Sequence, residues 1–374
     1  MKKANVYFTN MRVRPEGRNL QQKLAFLIRR AGMDEIDFKD RFAAIKIHFG
    51  EAGNLSFLRP NFARTVADEI KARGGKPFLT DCNTLYVGSR KHALEHIETA
   101  YINGFTPYST GCHVIIGDGL KGTDDIAVPV PNGEFVREAK IGRAVMDADI
   151  FISLNHFKGH EMTGFGGAIK NIGMGCGSRA GKMEQHCDGK PAVERERCIG
   201  CRACARICAH GTPMFRDGKA EIDHAKCVGC GRCIGVCPKD AVLPSWGQQA
   251  GLLDRKMAEY ALAVVHGRPH FHISIVMDVS PFCDCHPEND VPIVPDIGMF
   301  ASFDPVALDQ ACADACLNAA PLPNSQLGQN LATPGWNCHH DNFKDSNPNI
   351  EWKATIEQAE KIGMGTRAYT LKKV

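Results

Sequence analysis

Two runs of four cysteines, Cys198, Cys201, Cys204, Cys208 and then Cys227, Cys230, Cys233, Cys237, share the spacing CxxCxxCxxxC. The flanks Ile199-Gly200 and Val228-Gly229 match as well, so the block is an internal duplication. A chain of 374 residues can bury a core without disulfides, so its 17 cysteines need another explanation. Nearly half of them fall between Cys198 and Cys237, a clustering that points to metal rather than to a disulfide framework.

Gaps of two residues let a backbone wrap a cube, offering it three soft thiolates and several N–H groups. This is the bacterial ferredoxin spacing, in which the fourth cysteine of each run crosses to the other [4Fe-4S] cluster. It assigns Cys198, Cys201, Cys204 and Cys237 to the first cluster and Cys227, Cys230, Cys233 and Cys208 to the second. Zinc is the competing soft-ligand reading, but two interleaved sets of this spacing are not the usual closed tetrahedral site. Pro238 follows the second run as expected, whereas Ala209 follows the first, which bears only on loop geometry. No CxxxCxxC occurs, so the usual radical S-adenosylmethionine cluster is not expected.

Outside the block the pattern is α/β. Strands are expected at Val6 to Thr9, Ala43 to His48, Pro77 to Thr80, His113 to Ile116 and Asp149 to Leu154, with helices at Leu20 to Arg30, after Pro60 and at Lys91 to Asn103. Beyond the block the same grammar predicts a helix over Ala250 to Val265, strands at Phe271 to Met277 and Asp296 to Ala301, and a helix capped by Asp304 with Pro305 in its first turn. Gly173 to Gly189 reads as a Gly-rich, basic break, Asn324 to Asn349 as loop, and Glu351 to Ile362 as a last helix before a closing strand. The expectation is a parallel or mixed sheet flanked by helices, in parts 1–194 and 244–374, with an α+β ferredoxin-like insertion over 195–243.

Lys plus Arg number 45 against 42 Asp plus Glu, too balanced to attract a polyanion, so nucleic acid is not an expected partner. No apolar run is long enough for a membrane span, and Met1 to Tyr7 leads into a strand-like segment rather than a signal peptide. A soluble, cytoplasmic protein is predicted.

Several smaller motifs carry candidate chemistry. Gly117-Asp118-Gly119-Leu120-Lys121-Gly122 has the GxGxxG form, but the prolines of Val128 to Pro131 deny it the helix that would hold a pyrophosphate, so it reads as a turn. Near Gly175 to Lys182 a phosphate loop fails because Cys176 and Met183 replace required residues. Gly173 to Arg179 with Lys182 can still present N–H groups and cations to an anion, or serve as a hinge. Polar residues gather at three expected strand ends: Lys46 and His48, Asp81, and Asn155 to His160. Carboxyl strand ends line the ligand crevice of α/β sheets, so Lys46, Lys158 and Lys170 are candidates to bind a small anionic or carbonyl ligand, with His48 or His160 moving protons. Cys283-Asp284-Cys285-His286 is a compact donor set that Cys338-His339-His340 could join in space, and Cys176, His186 and Cys187 form a looser one. Cys283 or Cys285 could ligate a further metal or act as a redox-active thiol, although spacing alone does not bring these sets together. Cys312 and Cys316 sit one helical turn apart with Leu308 and read as core.

Taken together, Lys46 to Glu51, His156 to His160, Gly166 to Gly175, Cys283 to Cys285, Pro295 to Gly298 and Asp304 to Ala307 make the chain resemble the iron-sulfur branch of the family called domain of unknown function 362. The resemblance covers most of the chain. It implies an α/β domain with an inserted two-cluster ferredoxin, mostly from anaerobes, and gathers His48, Lys158, His160, Cys283 and Cys285 into one site. The expected function is a redox-coupled enzyme relaying electrons to or from a small ligand, through an unidentified donor or acceptor protein. A docking electron carrier without an enzymatic site and a metal-handling maturation factor are the alternatives.

Overall fold

The computed structural model describes residues 3–86, 88–187, 190–245 and 251–374. Its centre is an eight-stranded mixed sheet, in the order Tyr369–Lys373, Ala4–Asn10, Gly298–Ser302, His270–Val276, Ile150–His156, Phe42–Lys46, Lys76–Asp81 and Val114–Ile116. Gly298–Ser302 runs antiparallel to both neighbours, and every other pairing is parallel. The β-rich runs of the sequence become these strands because both faces are covered. Ile45, Ile152, Leu154, Ile273 and Ile275 join one core, under helices Leu20–Arg30 and Pro60–Lys71. Ala44, Phe151 and Phe300 join the other, under Ala168–Cys176, Leu252–Val265 and Pro305–Leu317. Strand alternation separates the two sets.

Asp304 caps the Pro305–Leu317 helix as expected, its carboxylate accepting from the Val306 and Ala307 N–H groups with Pro305 in the first turn. Cys312 and Cys316 are fully buried on that helix.

Two expectations are corrected. Gly173 to Arg179 with Lys182 is no hinge, because helices Ala168–Cys176 and Arg179–Cys187 run through most of it. Gly173 is there for packing: a Cβ on it would stand 2.1 Å from the Met257 carbonyl oxygen of the Leu252–Val265 helix. Asn324 to Asn349 contains helices Gln326–Ala332 and Asn342–Ser346, capped by Ser325 and Asp341. Small polar caps there had read as loop composition.

The cysteine block leaves and rejoins the α/β body through an antiparallel ribbon, Pro191–Val193 against Val242–Pro244. Within it, short helices Ala203–Ile207 and Arg232–Gly235 occupy matching places in the two repeats, with a hairpin of Pro213–Arg216 and Lys219–Ile222 between them. The duplication extends to the backbone. Gly200 and Gly229 are left-handed at φ 67° and 70°, and Arg202 and Gly231 at 62° and 66°, which turns the chain back after each CxxC.

Among the described residues, no helix is long and apolar enough to cross a membrane.

Candidate functional site

The parallel strands deliver their carboxyl ends to one edge of the sheet, where Lys46, Asp81 and His156 emerge side by side. Lys46 is fully buried and lies 3.0 Å from Asp81, with its Nζ donating to Asn171 Oδ1 at 2.7 Å. Asn171 reaches it from the Ala168–Cys176 helix, and its amide returns hydrogen bonds to the Lys46 and Leu154 carbonyls. That helix has no side-chain cap of its own. The buried Asp309 supplies one, accepting from the Ala168 and Ile169 N–H groups.

A second buried charge group centres on Asp284, which meets His156 Nδ1 at 2.8 Å and Lys158 Nζ at 3.1 Å. Burial opposes ionisation of Asp284 and Asp81, yet the surrounding cations hold both carboxyls well below the usual range. Arg90 adds a bond from Nε to Glu51 at 3.0 Å and stands 3.0 Å from His48 Nε2.

The expected ligand-binding lysines are therefore largely engaged within the protein. Lys46 answers Asp81, Lys158 answers Asp284, and Lys170 Nζ lies 3.4 Å from Cys283 Sγ. The crevice between Lys46, Lys158 and Lys170 has a volume of about 50 Å³, room for a few waters. His48 is not placed to act as an acid. Burial and the Arg90 charge keep its pKa well below the ordinary histidine value, and the Gly50 N–H donates to Nδ1. The cations near Gly173 to Arg179 are also spoken for, since Lys182 donates to the Gly177 carbonyl and Arg179 to the Lys91 carbonyl.

A larger cavity, of about 430 Å³, adjoins this crevice. Tyr86, Lys170, Met174 and Cys285 line both spaces, and the larger also meets His160, Glu161, His286 and Leu243. Leu243 belongs to the ribbon of the cysteine block, so the cavity sits where block and α/β body meet. His160, Cys283 and Cys285 are buried, with their potential ligand atoms within 4.8 Å of one another, a group that could hold a metal ion. Cys338 does not join it. That thiol is exposed, with Sγ 3.7 Å from Asp345 and 3.8 Å from His340. Cys176 is a buried thiol that burial pushes up to about 12, and the Cys187 side chain lies outside the described residues.

In the block, Cys198, Cys201, Cys204 and Cys237 line one cavity, three from the first repeat and one from the second. Backbone N–H groups point at sulfur, from Ala220 to Cys198 at 3.4 Å, Ala241 to Cys237 at 3.2 Å and Thr212 to Cys208 at 3.5 Å. Burial and the sulfurs of Cys230 and Cys227 push the Cys233 thiol up to about 12. Four thiols round one cavity, two of them with N–H donors aimed at sulfur, suit a soft metal centre. Arg179 ties block to body. A Cβ on Gly235 or Gly231 would strike its side chain, while Asp118 and the sulfurs of Cys233 and Cys230 partly offset the burial that lowers its pKa.

Sequence reasoning missed Arg90, Tyr86 and Asp309. Arg90 and Tyr86 stand in an irregular segment with no periodicity to mark them, and Asp309 looks like an ordinary helical residue until the fold buries it against a second helix.

These features define a cysteine-rich α/β protein with a candidate metal-binding group, consistent with a metal or iron-sulfur role. The chain belongs to the family described as "Domain of unknown function (DUF362)", which matches residues 43–314. No curated protein matches it. Among solved structures it is similar to the lactate racemase apoprotein from Thermoanaerobacterium thermosaccharolyticum, at 11% identity and a TM-score of 0.38, over 70% of this chain and 45% of that one. A protein from Thermotoga maritima is similar at 11% identity and a TM-score of 0.40, over 79% of this chain and 57% of that one. The chain thus spans roughly half the length of each, and neither likeness bears on activity.

Proposed function

We propose that the chain is an iron-sulfur oxidoreductase. Cys198, Cys201, Cys204 and Cys237 would hold one [4Fe-4S] cluster and Cys227, Cys230, Cys233 and Cys208 the other, within an inserted domain over 195–243. The observation that carries this reading is the shared cavity, in which Cys237 of the second repeat joins three cysteines of the first. A cubane is wider than a single ion, which agrees with these four thiols enclosing a space rather than converging on a point. Such clusters supply single electrons when bound.

The remaining residues make a place for a small ligand. At about 430 Å³ the larger cavity is in the range of small-molecule sites, and Leu243 brings the cysteine block to its wall. Lys170 supplies positive charge there. His160 Nδ1 accepts from the Met162 and Thr163 N–H groups, which leaves Nε2 to carry the proton a ligand would receive. Lys46 and Lys158 act from behind, balancing Asp81 and Asp284, and His48 stays unprotonated. An unidentified protein donor or acceptor would complete the electron path. A protein lacking a ligand site, which only docks and carries electrons, would leave this cavity without a role.

The test is anaerobic purification with iron, acid-labile sulfide and low-temperature EPR after dithionite. About eight iron atoms per chain and the signals of reduced [4Fe-4S] clusters are expected. A colourless protein that takes up no iron on reconstitution would overturn the reading.

A further inference from the structure

Cys283 and Cys285 face opposite ways in chemical terms, although one residue separates them. Cys283 Sγ is enclosed, with Lys170 Nζ at 3.4 Å and the Cys285 N–H at 3.4 Å, and the Cys285 sulfur lies within 4.8 Å of it. The Lys170 ammonium beside this sulfur favours its thiolate form. Cys285 is the one that lines the cavities. The pair is an enclosed sulfur beside a cation, held behind a sulfur that faces the cavities.

The surroundings do not favour a metal. A metal-bound histidine donates its other ring N–H to an acceptor. His160 does the opposite, because its Nδ1 accepts from two backbone N–H groups at 3.1 and 3.2 Å and the proton is left on Nε2. The ammonium of Lys170 also occupies the side of Cys283 from which a cation would be repelled.

We infer that Cys283 and Cys285 form a dithiol–disulfide couple whose substrate is a small disulfide entering the adjoining cavity. This rests on the reading of that cavity as the place where electrons meet a ligand. With Cys283 a thiolate beside the Lys170 ammonium, the Cys285 proton passes to it, and the Cys285 thiolate attacks one sulfur of the disulfide RSSR. The substrate S–S bond breaks, a Cys285–SR bond forms and RS⁻ leaves. Cys283 then gives its proton to that RS⁻, making RSH, and attacks Cys285 Sγ. The Cys283–Cys285 disulfide forms and the second RS⁻ leaves. Two electrons have moved from the cysteine pair to the substrate sulfurs, with charge and atoms conserved.

The test is an anaerobic titration of the full-length protein in graded mixtures of 2-hydroxyethyl disulfide and 2-mercaptoethanol. It is read by alkylation, digestion and mass spectrometry of the peptide containing both cysteines. The expected result is an internal disulfide, seen as loss of two hydrogens and of both alkylation sites, that appears with a single midpoint. In Cys283→Ser the reaction should stop at one mercaptoethanol adduct on Cys285, since the resolving sulfur is gone. If both cysteines of the folded wild type stay fully alkylatable at every mixture, the couple is overturned. It is equally overturned if the wild type holds one metal ion per chain that Cys283→Ser loses. Iron and sulfide measured on the same samples judge the cluster reading separately: a disulfide that forms without iron leaves the couple standing and removes the clusters, and the opposite result removes only the couple.

Discussion

The molecule gathers cysteines in two places and by two different means. In the cysteine block the thiols come together through local sequence, as equal spacings, left-handed turns at Gly200 and Gly229 and one short helix per repeat carry four sulfurs to one cavity. At the crevice two cysteines lie one residue apart, and everything that distinguishes them comes from far away in sequence. Lys170 comes from a helix against the sheet, Lys158 from the short strand Lys158–His160 just beyond a central one, and Tyr86 from an irregular segment. The first arrangement prescribes ligands. The second prescribes a charge environment, and that environment exists only once the sheet has formed.

If this contrast is right, the largest effect follows from breaking the block. Cys237→Ser removes the one thiol that the second repeat lends to the first cavity. Iron content should fall by about half, with the crevice unaltered by the thiol titration described above. Unchanged iron in this variant would mean that the runs do not cross.

Breaking the crevice should cost stability rather than iron. Asp284 is fully buried between His156 and Lys158, and Asp284→Asn leaves those two groups without their counter-charge. A loss of about 3–5 kcal/mol in denaturant-induced unfolding is expected. Gly173→Ala should follow at about 1–3 kcal/mol, because its Cβ meets the Met257 carbonyl rather than a side chain that can move aside. A fully stable Gly173→Ala would show that this helix pair has slack.

The same carboxylates give the crevice its pH dependence. Asp81 and Asp284 have folded-state pKa values below the ordinary range, and Glu161 is lowered to about 2: burial opposes ionisation, while the His286 hydrogen bond favours it. Lowered values mean that the unfolded chain binds protons first on acidification. Their contribution is full above the unfolded carboxylate pKa of about 4 and is lost as pH falls through the folded values. Circular dichroism of acid unfolding should show a steeper loss below pH ~4 in the wild type than in Asp81→Asn.

How much of this could be read from the sequence follows the same division. The block was legible because its information is local and written twice. The sheet was legible because strands buried on both faces carry apolar runs, and the Asp304-Pro305 cap because it needs only two residues. The crevice was legible in its members, Lys46, His48, Lys158, His160, Lys170, Cys283 and Cys285, but not in their roles. Nothing in the order of residues says that Lys46 will turn to Asp81 or that His48 will meet Arg90, since those pairings depend on which strand ends become neighbours. Helix Ala168–Cys176 was hidden for a related reason. Its glycines lower helix propensity, and close packing against Leu252–Val265 outweighs that preference.

The smallest expected effect concerns the seam between the two regions. Lys91 forms an ion pair with Asp240 across it, partly exposed, whereas the Arg179 side chain is buried against Gly231 and Gly235 and donates to the Lys91 carbonyl. If the block is positioned mainly by the buried contact, Lys91→Met removes a screened pair worth about 0–1 kcal/mol and leaves the backbone carbonyl that Arg179 uses. Hydrogen exchange over 198–240 should then change little, and iron content not at all. A Lys91→Met protein whose block exchanges as fast as a free peptide would mean that a surface charge pair holds the two regions together, and the seam would have to be redrawn around Asp240 instead of Arg179.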